Sequence, residues 1–216
     1  MCPRARQFTQ PQITAAALEL LQLEGWSALT ARAIAKHLGT STTPIYSVFA
    51  SMEEIEAAVR VEAIDRQLHS MLTPRSGNPL LDLALGYVAF ARDEPALFRF
   101  LFIDRPAAVS MAERQRLEGR GFSDRLTEIF ATESGVDPLD TYFGEQPVSA
   151  RDDMAYRGWI FAHGLAMLVC SGSLPGADDA ELQRLLEGAG FAFYLLQQDG
   201  SFPGRPVPVP EPEPPT

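Results

Sequence analysis

Between Leu38 and Phe49 the chain reads LGTSTTPIYSVF, twelve residues without a formal charge that carry the hydroxyls of Thr40, Ser41, Thr42, Thr43 and Tyr46. Hydroxyls donate and accept hydrogen bonds, so a dense run of them on a short element suits recognition. Catalysis has little to draw on. His37, His69 and His163 are the only histidines, and none has a His, Cys or carboxylate neighbour at metal-ligand spacing. There is no GxxxxGK phosphate loop and no GxSxG elbow. Asp152–Asp153 and Asp178–Asp179 fall at expected helix starts, where carboxylates counter the helix dipole. Cys170, between Val169 and Ser171, is expected to be buried and inert. No enzyme, no cofactor and no metal are expected.

The elements that must position the hydroxyl run are helices. QITAAALELLQLEGW places Ile13, Ala16, Ala17, Leu20 and Leu21 on one stripe, with Thr9 or Gln10 as N-cap beside Pro11 and Gly25 as the stop. Thr30 caps a helix running to Leu38, and Ser41 caps the next, ending near Phe49. Ser51 and Glu54 form a capping box that opens a long helix to about Leu72. TPRSGNP is a linker. Apolar helical stretches follow at 79–93, 95–103 and 107–132, then a turn-rich loop, then helices at 150–172 and 178–198. No segment alternates as a strand does, so the fold class is all-α.

Three helices by residue 49 make a small bundle, with Trp26, Leu29, Ile34, Leu38, Ile45 and Phe49 spaced to form its core. Gly39 sits where the chain reverses after a helix, a place for a left-handed backbone. Ala35, four residues earlier, is small where the second helix crosses the first. Small residue, three residues, glycine, then a second short helix is the sequence form of a helix-turn-helix.

Bulk numbers bound the rest. At 216 residues one two-lobed domain or two small domains are expected, and 46% hydrophobic with 21% charged residues is ordinary for a protein with a core. No apolar run reaches 18 residues, so no membrane span is expected, and MCPRARQFTQ leads into no apolar stretch of a secretory signal. Cys2 and Cys170, the only cysteines, make no disulfide framework, and a reduced cytoplasmic compartment is the simplest expectation. Net charge is −10, yet residues 1–52 hold Arg4, Arg6, Arg32 and Lys36 against Glu19 and Glu24, a net +2 that leaves −12 on the remainder. The N-terminal quarter is thus the part that phosphate would not repel.

The stretch ALTARAIAKHLGTSTTPIYSVFASMEEI resembles the DNA-binding domain of TetR-family transcriptional regulators over residues 9–60, through Leu-Thr, Ile-Ala, the glycine turn, Ser-Thr-x-Pro-x-Tyr, and Phe followed by Ser-x-Glu-Glu. The resemblance implies that Thr30, Ser41 and Tyr46 hold phosphates while Thr42, Thr43 and Pro44 face base edges, with Thr40 beside them. Threonine methyls and proline can meet the thymine methyl, and hydroxyls can donate or accept. Helix N-termini at Thr30 and Ser41 would add amide donors, and Arg32 and Lys36 on the preceding helix can reach the backbone. Arg4 and Arg6 are open to two readings, a minor-groove arm or an unstructured basic end. One departure stands out: many members have a lysine at the start of the fourth helix, where this chain has Met52.

The C-terminal part resembles the TetR subgroup named for a Trp…His-Gly signature, here Trp159, His163 and Gly164, over roughly 78–195, with Gly86, Tyr87, Pro95, Ala96, Leu97 and Phe98 matching its first segment. Tyr156, Trp159, His163 and Ala166 share one helix face, with Met167 beside His163, while Tyr87, Phe90, Phe98, Phe100 and Phe102 add aromatic surface. These side chains line a pocket for a small, mostly apolar ligand or are plain core; both readings stay open. The expected ligand contacts are Tyr87, Phe98, Phe102, Tyr156, Trp159, His163 and Met167. The last two helices are expected to build a four-helix dimer through Phe161, Leu165, Leu168, Leu182, Leu185, Leu186, Ala189 and Phe193, unless both are simply internal.

The expected organisation is a DNA-binding head at 1–50, a connecting helix and linker at 51–77, a ligand-binding and dimerisation domain at 78–200, and a proline-rich tail at 201–216. The function expected is a homodimeric regulator, a repressor by sign, that binds a palindromic double-stranded DNA operator and is released by a small-molecule effector. An all-α binding protein with a degenerate head, suggested by Met52 and the acidic remainder, is the alternative.

Overall fold

The computed structural model describes residues 8–105, 148–174 and 177–198, and every regular element among them is helical. The helix expected at 107–132, the loop after it, Arg4, Arg6, Cys2 and the tail lie outside the described residues. So do the side chains of Asp152, Asp153, Tyr156 and Phe193.

The chain opens with α1 (Gln10–Glu24), where Gln12 Oε1 accepts from the Thr9 amide at 3.0 Å. Its expected stripe is buried, and Leu18 is buried with it. Gly25 ends the helix at φ +79°, which costs a glycine little. A 3₁₀ turn, Trp26–Ala28, leads to α2 (Ala31–His37), α3 (Thr43–Tyr46) and α4 (Met52–Leu72). At the start of α4, Ser51 Oγ accepts from the Glu54 amide, and Glu54 reaches back to the Ala50 amide at 2.7 Å, one residue earlier than a capping box requires.

Asn78 Oδ1 accepts from the Leu80 and Leu81 amides and so starts α5 (Pro79–Asp93). This is the central helix. Leu83, Leu85, Tyr87, Val88, Ala89, Phe90 and Ala91 are all buried, and α4, α7 (Val148–Cys170) and α8 (Asp179–Gln198) pack around it. Asp178 Oδ1 accepts from the Glu181 amide and caps α8 as expected, whereas Asp179 is turned to Arg92 at 2.6 Å. Among the described residues no helix is long and apolar enough to cross a membrane.

Three expectations need correction. The helix from Ser41 to Phe49 is only α3, four residues long, with Thr42 and not Ser41 at the cap position. Pro44 is tolerated only in a first turn, and Ser47 Oγ donates to the Pro44 carbonyl at 2.7 Å, which closes the helix early. The stretch 95–103 is α6 (Pro95–Arg99) followed by a π-helical turn, Phe100–Asp104, in which the Arg105 amide donates to the Phe100 carbonyl at 3.2 Å. Trp26 does not sit inside the three-helix core. It is half-buried and stacks on Phe100 of the larger lobe.

Candidate functional site

Thr30 has extended backbone, and its Oγ1 accepts from the Ala33 amide at 3.2 Å, so α2 begins where expected. Its inner face is Ala31, Ile34 and Ala35, all buried; Arg32 and Lys36, four apart, share the exposed face. Gly39 turns the chain at φ +66°, with the Thr40 amide donating to the Ala35 carbonyl at 2.9 Å. A side chain here would carry the left-handed strain that glycine avoids. In α3, Ile45 is fully buried and anchors the helix, while Thr43, Tyr46 and Ser47 form the outer face, Tyr46 being 48% exposed. Thr42, Pro44 and Thr40 are half-buried at the rim, and Ser41 is exposed.

Charge sets this surface apart. Elsewhere the arginines are engaged: Arg66 with Glu62 and Glu94, Arg92 with Asp93 and Asp179, Arg99 with Asp104, Arg105 with Glu56, and Arg184 with Glu181. Arg32 and Lys36 have no ion-pair partner among the described residues. Two such cations beside an exposed row of hydroxyls form a surface that a phosphate backbone can meet. The opening of α3 adds little, since a four-residue helix has almost no macrodipole. Positive side chains on α2, more than amide ends, offset the acidic remainder. His37 Nε2 meets Glu19 Oε2 at 2.7 Å and ties α2 to α1. The sequence offered no signal for that pairing.

In the larger lobe, Tyr87 from α5, Phe98 from α6, Phe102 from the π turn and Trp159 and His163 from α7 come together. Phe98 and Phe102 lie 4.9 Å apart by centroid, and His163 lies 5.3 Å from Trp159 and 5.6 Å from Phe102. Tyr87 Oη and His163 Nδ1 are 2.8 Å apart. Burial pushes the Tyr87 phenol far up from its ordinary value, against a hydrogen bond with Trp159 that lowers it. Burial also holds the His163 imidazole below its usual range. A neutral histidine held by a tyrosine among four rings is thus what the spacing on α7 brings about. Tyr87 and Phe98 are buried, whereas Trp159 is 36% exposed. Met167, one turn beyond His163, packs half-buried against the core.

The dimer residues divide. Leu165, Leu182 and Leu186, expected at a dimer contact, are buried within the chain itself, as the internal reading of these helices has it. Phe161, Leu185 and Ala189 are half-buried. Leu168 is 49% exposed and shares a stripe with Ile160, also 49% exposed, and exposed Gly164. α7 is apolar on two faces, and periodicity does not say which one the core takes. Cys170, expected to be buried, is only half-buried, and burial pushes its thiol up.

Sequence reasoning missed two further features. Arg60 and Arg105 lie over Phe100 and Trp26 at 4.8 and 4.9 Å, at the seam between head and lobe. An open groove of about 450 Å³ runs along α4 and α5, lined by Asp65, Arg66, His69, Phe90, Asp93 and Glu94 among others. Among the described residues no group of His, Cys, Asp and Glu is arranged to hold a metal.

A helix-turn-helix whose second helix is uncharged and whose first carries two exposed cations, joined through one long helix to an all-helical lobe, defines the class of helical DNA-binding regulators. Residues 13–59 match the family described as bacterial regulatory proteins, tetR family, and residues 80–189 match the tetracyclin repressor-like C-terminal domain. The chain belongs to the TetR family: it is a DNA-binding transcriptional regulator and not an enzyme. The C-terminal match does not single out the Trp-His-Gly subgroup. An uncharacterized HTH-type transcriptional regulator of Mycobacterium tuberculosis is 26% identical over 179 residues, covering 81% of this chain and 76% of its own. A TetR-like transcriptional regulator from Rhodococcus sp. RHA1 superimposes with TM-score 0.58 at 19% identity, over 90% of this chain and 99% of that one. A protein described as a TetR-family regulator from Mesorhizobium loti gives 0.52 at 16%, over 87% and 95%. At such identities the two structures speak for the fold.

Proposed function

We propose that the protein is a repressor that binds a palindromic operator as a homodimer and is released by a small, mostly apolar ligand in the larger lobe. The observation that carries the reading is the pairing of Arg32 and Lys36, cations without a partner among the described residues, with the exposed hydroxyls of Thr43 and Tyr46. Thr30, Thr40, Ser41, Thr42 and Pro44 complete the contact surface. Two such heads meet successive major grooves when held roughly 34–36 Å apart.

The surface offered to the second copy is the stripe Ile160, Gly164 and Leu168 on α7, where glycine allows close helix approach. Half-buried Leu185 and Ala189 of α8 support it. Obligate contacts of this kind bury ~2,000 Å² or more in total. The ligand sits at Tyr87, Phe98, Phe102, Trp159, His163 and Met167, and α4 is the lever from there to the head. By linkage, a ligand that weakens DNA binding binds the DNA-bound form more weakly.

Footprinting on the promoter of the protein's own gene, with the mass of the complex measured alongside, tests the reading. A protected palindrome carrying two chains, lost in Tyr46→Ala at unchanged folding, is expected. Protection by one chain, or full binding by the variant, rejects it.

A further inference from the structure

We propose that Gln22, Trp26 and Arg105 are positioning residues for DNA binding: they brace the head against the larger lobe and so set the half-site spacing that the protein accepts. The proposal rests on the reading of the protein as a homodimer on a palindromic operator, and names the residues that hold the two heads at one separation.

The chain joins head to lobe through α4 alone, and a body carried on a single helix turns about the ends of that helix, where hinges form. α6 and the π-helical turn after it supply a second attachment. At one end of this bar Glu94, between α5 and α6, accepts from Gln22 Nε2 of α1 at 2.5 Å and from Arg66 Nη1 of α4 at 3.4 Å. At the other end Phe100 stacks on Trp26, just past the end of α1, with ring centroids 5.3 Å apart. Arg105 closes the seam: its guanidinium lies over Trp26 and pairs with Glu56 of α4, while Arg60 of α4 donates to its carbonyl. The bar is also set into the lobe, where Leu97 and Phe98 are fully buried. An element seated in one body and gripped at both ends by the other leaves no free pivot.

The magnitudes connect this seam to DNA. One base pair inserted between half-sites moves one of them about 3.4 Å along the duplex and roughly 35° around it. Shared between two heads, the shift is about 1.7 Å each. A gap of about 1 Å already forfeits up to half of the dispersion attraction between packed atoms. The heads therefore follow a changed spacing only by opening the seam. Otherwise the DNA must deform, which weakens binding about 10-fold or more. None of the three residues belongs to the hydroxyl-and-cation surface of α2 and α3, so altering them leaves the contact groups as they are.

Four duplexes test this by equilibrium binding to the full chain: the footprinted half-sites at native spacing, one base pair closer, one base pair farther, and one half-site alone. The parent should bind both altered spacings at least about 10-fold more weakly than the native one. Trp26→Ala should cut that penalty to about threefold or less while binding the single half-site as the parent does. The double variant Gln22→Ala, Arg105→Gln should do the same, and it changes only exposed side chains, so it stands in if Trp26→Ala fails to fold. Trp26→Phe keeps a ring against Phe100 and should keep the penalty. Variants that discriminate as sharply as the parent, or that weaken all four duplexes alike, overturn the proposal. A parent indifferent to spacing overturns it too, with the dimer reading intact. A parent that gains nothing from a second half-site rejects the dimer reading and the proposal with it.

Discussion

Trp26 of the DNA-binding head stacks on Phe100 of the larger lobe, with ring centroids 5.3 Å apart and planes inclined by 29°. Arg105 adds its guanidinium to Trp26 and pairs with Glu56 at 3.1 Å, while Arg60 lies over Phe100 and donates to the Arg105 carbonyl at 2.6 Å. Two residues on, along the same π-helical turn, Phe102 meets Tyr87 and His163 at 5.7 and 5.6 Å. Residues two apart on a helix face nearly opposite ways, so one turn carries both contacts. Trp26→Leu and Phe100→Leu, measured singly and together by urea denaturation, should show a coupling of about 0.5–1.5 kcal/mol beyond the change in burial. Strict additivity would mean that the stack does not join head to lobe.

Salt dependence should sort the DNA-facing residues by type. Replacing Arg32 or Lys36 by Gln lowers the slope of log affinity against log salt by about 0.9 for each phosphate that is no longer neutralised. Tyr46→Phe is expected to cost about 10-fold, near 1.4 kcal/mol, with the slope kept, because no charge is removed. Met52→Lys should strengthen binding and steepen the slope. Met52 is half-buried against the core at the first position of α4, and a lysine stem can cover the same surface with its ammonium in water. A flat response across the four variants would place DNA on another surface.

α4 and α5 approach closely at Gly86. A Cβ there would fall on the Ser70 carbonyl and the Met71 Cα, both backbone, and Ser70 Oγ donates to the Gly86 carbonyl at 2.9 Å. Alanine is the better helix former by about 1 kcal/mol, but backbone cannot step aside as a flexible side chain can. Overpacking wins, and Gly86→Ala should lose about 1–3 kcal/mol in urea denaturation. An unchanged or raised midpoint would refute the close approach.

Asp82 gives a pH dependence with a definite sign. It is buried at the start of α5, and burial alone would raise its pKa. The Ser76 hydroxyl and amide, both 2.6 Å from Oδ1, with help from Arg75, lower it instead. A carboxylate whose folded pKa is depressed stabilises the protein above its unfolded pKa, about 3.9, and that contribution is lost as pH falls through the folded value. Asp82→Asn should therefore lower Tm at pH 7, by an amount equivalent to about 1–3 kcal/mol, and the gap to the parent should narrow below about pH 4. A gap that holds constant to pH 3 would show that the charge plays no part.

The amino-acid order alone determined what depends on neighbours three or four residues away. Thr30, Asp178, Gly25 and Gly39 act where their types require, α1 buries its expected stripe, and the TetR-like head follows from the same short-range spacings. The length of α3 escaped it, because Ser47 competes for a carbonyl that periodicity assigns to a longer helix. Tertiary structure decided which apolar surfaces meet. Tyr87 and His163 are 76 residues apart in the chain, and nothing in either segment specifies the other. Leu165 and Leu168 look alike on α7, yet one is buried in its own chain and the other is 49% exposed. The physical reason is that hydrophobic burial is non-directional: a stripe states how much surface must leave water, and only packing against a particular neighbour settles where.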